Sequence, residues 1–200
     1  MAEEAGRSAR LESIVLAAGA GTRFGGEKLT APYHDGLLID GALGAAFAAP
    51  GRTVTVTIGA DPKVAAAARA FAERRGEAAR LKLLPVADHA RGMGVSLATA
   101  VASLPKDAAG VFVFLGDMPE TPHAMAAALA RALEAGAMAA APTHAGRRGH
   151  PALFANALFP RLSTLGGDEG ARAVLAGLGQ SLALVETDDP GVLFDVDERL

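Results

Sequence analysis

The chain of 200 residues contains no cysteine. That excludes disulfides, cysteine-ligated zinc, iron–sulfur clusters and a thiol nucleophile, and it suits a reducing compartment. Excess charge is lacking too. A formal net charge of −3 gives no global field to draw in nucleic acid or an anionic membrane surface, so neither is expected as a partner. Any phosphate ligand must then be held by local groups. No apolar run reaches the roughly 18 residues that a membrane helix needs. Residues 1–12 are charged and have no apolar core of the signal-peptide kind, so they read as a flexible leader before a single domain over residues 13–200. A cytoplasmic protein is the expectation. There is no internal repeat, low-complexity linker or composition shift to mark a second domain.

Half of the residues are hydrophobic and a fifth are charged, as in an ordinary globular chain, and a domain of this length buries roughly 70% of its unfolded surface. Short β-rich runs alternate with alanine-rich helical runs. Strands are expected over 13–17, 53–58, 81–85, 111–115, 138–141 and 181–185, with a short extra one at 151–154. Helices are expected over 38–49, 62–75, 95–103, 122–134 and 169–178. This alternation predicts an α/β fold: three layers, Rossmann-like, with a mainly parallel sheet covered by helices on both faces. The run Val111-Phe112-Val113-Phe114-Leu115 is continuously apolar, as a strand covered on both sides should be.

The first apolar strand leads directly into Gly19-Ala20-Gly21-Thr22-Arg23-Phe24-Gly25-Gly26-Glu27-Lys28. Glycines let backbone N–H groups turn toward an anion with no Cβ in the way. Arg23 can bind a phosphate bidentately, and Lys28 adds a mobile point charge. Two familiar phosphate loops do not fit. A Walker A loop needs Ser or Thr after its lysine, where Leu29 stands. The dinucleotide fingerprint needs glycine where Phe24 stands, and Asp40, at about the right distance for a ribose contact, falls in an expected helix. A plain glycine turn with a solvated Arg and Lys is the structural alternative.

The segment Leu16-Ala17-Ala18-Gly19-x-Gly21-x-Arg23-x-Gly25-Gly26-x-Lys28-Leu29 resembles the signature of the MobA-like nucleotidyltransferases, and within them the molybdenum cofactor cytidylyltransferase branch. The likeness continues along the chain. Gly92-Met93-Gly94-Val95-Ser96-Leu97 is similar to the element that lies against the nucleotide base, although by itself it is also a close-packed helix start. Leu115-Gly116-Asp117-Met118-Pro119 closes the most apolar strand, where α/β sheets gather their ligands. Asp117 there is either a helix cap or, by the resemblance, a magnesium ligand, and hard oxygen donors suit Mg²⁺ beside phosphates. Gly146-Arg147-Arg148-Gly149-His150-Pro151 resembles the acceptor-side element, which implies Arg148 and His150 as acceptor-binding residues. Gly167-Asp168-Glu169-Gly170-Ala171-Arg172 matches a further element and reads locally as a capped helix start, with Arg172 a candidate phosphate contact. Near the end, Phe194-Asp195-Val196-Asp197 keeps the two aspartates of the family's terminal motif but not the Thr-Pro that follows them. The resemblance implies Asp197 as the second metal ligand, with Asp195 as the alternative.

The resemblance implies an Mg²⁺-dependent nucleotidyltransferase that moves CMP from CTP to a phosphorylated small molecule, molybdopterin, with release of pyrophosphate and a molybdoenzyme as client. Leu16, Ala17, Ala18, Gly19, Gly21, Arg23, Lys28, Gly92, Gly94 and Ser96 would bind the nucleotide. Lys28, Arg23 and Asp117 would carry the chemistry. Ala18, where guanylyl-transferring relatives usually have glycine, would crowd a purine. A sugar or polyol phosphate acceptor, an NAD(P)-dependent oxidoreductase and a cofactor-binding chaperone without turnover remain the alternatives.

Overall fold

A computed structural model of the protein describes residues 10–19, 27–167 and 170–196. Among these residues the strands are β1 (Leu11–Leu16), β2 (Pro32–Tyr33), β3 (Gly36–Leu37), β4 (Val54–Ile58), β5 (Leu81–Pro85), β6 (Gly110–Leu115), β7 (Ala139–His144), β8 (Arg147–Arg148), β9 (Ala152–Ala155) and β10 (Leu182–Glu186). The α-helices are α1 (Leu38–Ala48), α2 (Pro62–Arg74), α3 (Met93–Ala102), α4 (Met125–Glu134), α5 (Phe159–Leu162) and α6 (Arg172–Ala176).

The main sheet runs β10-β7-β9-β6-β1-β4-β5, with β8 pairing β7. β1 is parallel to both β4 and β6, β4 is parallel to β5, and β10 is parallel to β7. β9 is antiparallel to both of its neighbours. The sheet is thus mixed but mostly parallel, and helices cover both faces, as the alternating sequence predicts. Strand pleating sorts the core into two halves. Phe112 and Phe114 of β6 pack with buried residues of α1, α2 and α4. Val111 and Val113 of the same strand pack with buried residues of α3, α5 and α6.

Most differences from the expected boundaries have local causes. β1 starts at Leu11, so Leu11 and Glu12 belong to the sheet and not to a leader. Sequence patterning places Glu12 outside because a charged residue seldom sits in a core, yet its side chain is fully buried. The carboxylate is satisfied by the Arg52 guanidinium at 2.6 Å and by the Thr53 hydroxyl at 2.6 Å. Arg52 also pairs with Asp107, and that hydrogen bond is the largest of the interactions that raise the pKa of the guanidinium. α3 starts two residues earlier than expected, after Gly92 at φ 113, a backbone conformation that side chains disfavour. α4 starts three residues later, after a turn in which Met125 N–H donates to Pro122 O. α6 is only five residues long, and Gly170 and Gly177 bracket it with poor helix formers.

Candidate nucleotide site

The carboxyl ends of β6, β1, β4 and β5 lie side by side, and the loops leaving them line one cavity of about 640 Å³. β1 hands over to Ala17 and Ala18, both buried. Ala17 N–H donates to Thr57 Oγ1 at 2.9 Å, which ties the start of the loop to β4. The loop after β6 is tied to the same place, since Gly116 N–H donates to Leu16 O at 3.0 Å. These bonds hold the two chemistry-bearing loops against each other.

Lys28 opens a short 3₁₀ turn, Lys28–Thr30, anchored by the buried Leu29. Its Nζ lies 2.9 Å from Asp117 Oδ2. The Lys28 side chain is 12% exposed and that of Asp117 33%, so the cation is mostly enclosed while the carboxylate faces the cavity. Val196 N–H donates to Asp117 O at 3.1 Å, which brings the chain end alongside, and Asp195 lines the same cavity.

Of the residues expected around the nucleotide, Leu16, Ala18, Gly19, Lys28, Gly92 and Ser96 all line this cavity. Ala17 lies behind the wall with its amide committed to Thr57. Gly94 is in the same position: its N–H donates to Gly167 O at 2.8 Å, and a Cβ there would meet Gly166 O at 2.7 Å. The physical reason for glycine at 94 is therefore the close approach of the 166–167 backbone. Gly21, Arg23 and Asp197, like Asp168 and Glu169, lie outside the described residues. Sequence reasoning did not single out Asp61, His89 or Met93, which also line the cavity. Asp61 caps α2 by accepting from Lys63 N–H at 2.9 Å.

A second cavity, of about 670 Å³, adjoins the first and shares Leu16, Met93 and Leu115 with it. Arg148 and His150, the expected acceptor residues, line it, and Arg172 at the start of α6 joins them. Much of the remaining wall is aliphatic or aromatic, including Leu97, Val113, Phe154 and Leu175. Burial pushes the His150 pKa down to about 4, and the positive charges of Arg148 and Arg172 push the same way. Asp117 and a hydrogen bond to the Val113 backbone oppose the shift. The imidazole is thus neutral near pH 7, and its Nδ1 is enclosed with no hydrogen-bond partner.

Among the described residues, no group of three or more His, Cys, Asp or Glu side chains is gathered as a metal cluster. Mg²⁺ does not require one, because it is commonly held by one or two carboxylates together with waters and substrate phosphates. Asp117 and Asp195 on one cavity fit that chemistry. Among the described residues no helix is long and apolar enough to cross a membrane.

Residues 13–184 match the MobA-like NTP transferase domain. No curated protein matches the chain. Solved structures do. Rv0371c from Mycobacterium tuberculosis H37Rv is 25% identical, with 94% of each chain covered and a TM-score of 0.76. Its homolog from mycobacterium sp. strain JC1 is 27% identical, covering 96% of this chain and 92% of that one, with a TM-score of 0.74. A complex of Rv0371C with manganese, from the M. tuberculosis strain, is 24% identical over 89% of this chain and 88% of that one, with a TM-score of 0.70. The protein belongs to the MobA-like NTP transferase family and is a nucleotidyltransferase.

Proposed function

We propose that the protein transfers CMP from CTP to the phosphate of a molybdopterin-type acceptor. The observation that carries this reading is the pair of adjoining cavities with a common wall. One holds Lys28 and Asp117, and the other holds Arg148, His150 and Arg172. Two polyanions must meet in such a reaction, and each cavity offers cations at its own end. The acceptor phosphate oxygen attacks the α-phosphorus of CTP, the bond from that phosphorus to the bridging oxygen breaks, and pyrophosphate leaves with the electron pair. A phosphate monoester has its second pKa at about 6, so the nucleophile is mostly dianionic near neutrality and needs no general base.

The protein's share is then positioning and charge stabilisation. Loop amides around Gly19 and Gly21, with Arg23, hold the β and γ phosphates. Lys28 meets the charge that develops on the α-phosphate. Asp117, with Asp197 or Asp195, would hold Mg²⁺, which when bound supplies charge neutralisation across the phosphates. The manganese in the mycobacterial structure supports a divalent ion in a protein of this fold. Arg148 and Arg172 attract the acceptor phosphate, and the neutral His150 adds a hydrogen-bonding atom without a further charge. The apolar remainder of that cavity, with Leu97, Val113, Phe154 and Leu175, leaves few partners for the many hydroxyls of a sugar or polyol. The product would pass to a molybdoenzyme client.

Pyrophosphate release from CTP, with molybdopterin beside sugar and polyol phosphates as acceptors, tests the reading. Turnover with molybdopterin alone supports it. Turnover only with a polyol phosphate overturns the acceptor, and hydride transfer with a nicotinamide would overturn the class.

A further inference from the structure

Lys28 and Asp117 reach the nucleotide cavity from adjacent parallel strands, Lys28 beyond β1 and Asp117 beyond β6. Main-chain contacts fix both loops. Leu29 is buried, and its Cδ1 lies 3.4 Å from where a Cβ at Gly116 would stand. Ala31 N–H closes the 3₁₀ turn onto Lys28 O at 3.2 Å. On the other side Asp117 O accepts from Val196 N–H at 3.1 Å, and Met118 N–H donates to Leu115 O at 3.2 Å. The carboxylate therefore keeps its place whichever cation sits on it. The ammonium is the mobile partner, a point charge on a flexible four-carbon stem that can swing while the backbone stays at rest.

The contact of 2.9 Å between Lys28 Nζ and Asp117 Oδ2 gives this carboxylate a counter-ion. One negative charge is thereby matched by one positive charge. A divalent ion at either oxygen of Asp117 would meet that ammonium at close range. The repulsion would be little screened, because the Lys28 side chain is only 12% exposed. Of the other carboxylates on the cavity wall, Glu27 is itself paired with Lys63 at 2.6 Å, and Asp195 adds one further charge. A triphosphate changes the balance. Its oxygens offer Lys28 a more highly charged partner, and they supply the donors that Mg²⁺ commonly takes beside one or two carboxylates.

We infer that Lys28 is a placeholder cation, which holds Asp117 against a divalent ion until a nucleoside triphosphate draws the ammonium away, so that metal and nucleotide enter the site together. The inference rests on the reading of this cavity as the metal and triphosphate site, and it adds the order in which that site fills. Coupling of this kind is reciprocal. The triphosphate that releases Asp117 tightens the metal, and the metal tightens the triphosphate by the same factor. A lysine that served the phosphates alone would leave the metal indifferent to its removal. A placeholder makes the opposite prediction: deleting the ammonium raises the affinity for metal.

The test is titration of Mn²⁺ into the full-length protein with no nucleotide added, reading free Mn²⁺ from its electron paramagnetic resonance signal. The proteins compared are the wild type, Lys28→Met, Lys28→Arg and the double variant Lys28→Met with Asp117→Asn. Lys28→Met should bind Mn²⁺ at least about tenfold tighter than the wild type, whereas Lys28→Arg, which keeps the charge, should stay within about threefold of it. The double variant should lose the gain, because the metal then lacks its carboxylate. Melting temperatures check each fold, and Lys28→Gln makes the same comparison should Lys28→Met be unstable. Equal Mn²⁺ affinity in the wild type and the uncharged variant, or a gain that survives in the double variant, overturns the placeholder role and leaves the nucleotidyltransferase reading standing. CTP titrated into the wild type with and without Mg²⁺ tests the site itself, and binding in neither condition overturns that reading and the inference with it.

Discussion

Replacing Asp117 with asparagine keeps the shape of the side chain and removes its charge. The consequences for stability and for activity should separate. At 2.9 Å from Lys28 Nζ, the pair has a gross attraction of about 6 kcal/mol at an effective dielectric of about 20. A third of the carboxylate side chain is exposed, and desolvation of the enclosed ammonium offsets most of that attraction. The net stability lost is therefore about 1 kcal/mol, or about 2–4 °C in Tm for a chain of this size. Catalysis has no comparable offset. Losing one preorganised electrostatic stabiliser typically costs a hundredfold or more in turnover, or about 2.7 kcal/mol. Thermal denaturation of Asp117→Asn beside steady-state pyrophosphate release measures both effects. Turnover within about threefold of wild type would refute the reasoning. So would a collapse of the fold, because it would make Asp117 a structural residue first.

Other perturbations should behave as follows. Arg23→Ala should raise KM for the triphosphate, whereas Lys28→Ala should chiefly lower kcat, and equal effects on KM alone would contradict that division of roles. Arg52→Ala strands the buried Glu12 carboxylate and should cost about 3 kcal/mol in urea denaturation, at the low end for a broken buried pair because Arg52 is itself partly exposed. A loss below about 1 kcal/mol would show that the Thr53 bonds suffice. His150 is neutral in the folded protein down to about pH 4, whereas the unfolded chain takes up its proton at about pH 6.5. Its contribution to stability is thus present above about pH 6.5 and is lost as pH falls toward 4, by about 2 kcal/mol between pH 7 and pH 5. His150→Gln should flatten that part of the pH profile, and an unchanged profile would place the titration elsewhere. Ala18 should favour CTP over GTP by an amount worth about 1–3 kcal/mol in kcat/KM, and a GTP preference would overturn the nucleotide assignment while leaving the enzyme class intact.

The fold was legible where apolar periodicity and glycine placement agree. The continuous apolar run of β6 and the alanine-rich helices predict a three-layer α/β fold, and β5 has its expected bounds. Glu12 was not legible, because its burial depends on Arg52 and Thr53, some forty residues away in sequence. The antiparallel insertion of β9 between β6 and β7 is a pairing choice that strand composition does not encode. Within the site, glycine-rich loops and lone carboxylates at strand ends announce themselves, and Lys28, Asp117, Ser96 and Asp195 do meet on one cavity. His89 carried no such signal, since a single histidine in a polar turn looks like any surface residue until the sheet order places it on the cavity wall. Gly94 carries a packing reason that the motif does not reveal: the 166–167 backbone lies where a Cβ would stand.

The most direct test of the central claim follows a phosphorus label. CTP labelled at its α-phosphate should deliver that label to the molybdopterin acceptor, while label at the β and γ positions should leave in pyrophosphate. Transfer of γ-label to the acceptor, or release of α-label only as free CMP, would contradict nucleotidyl transfer from CTP.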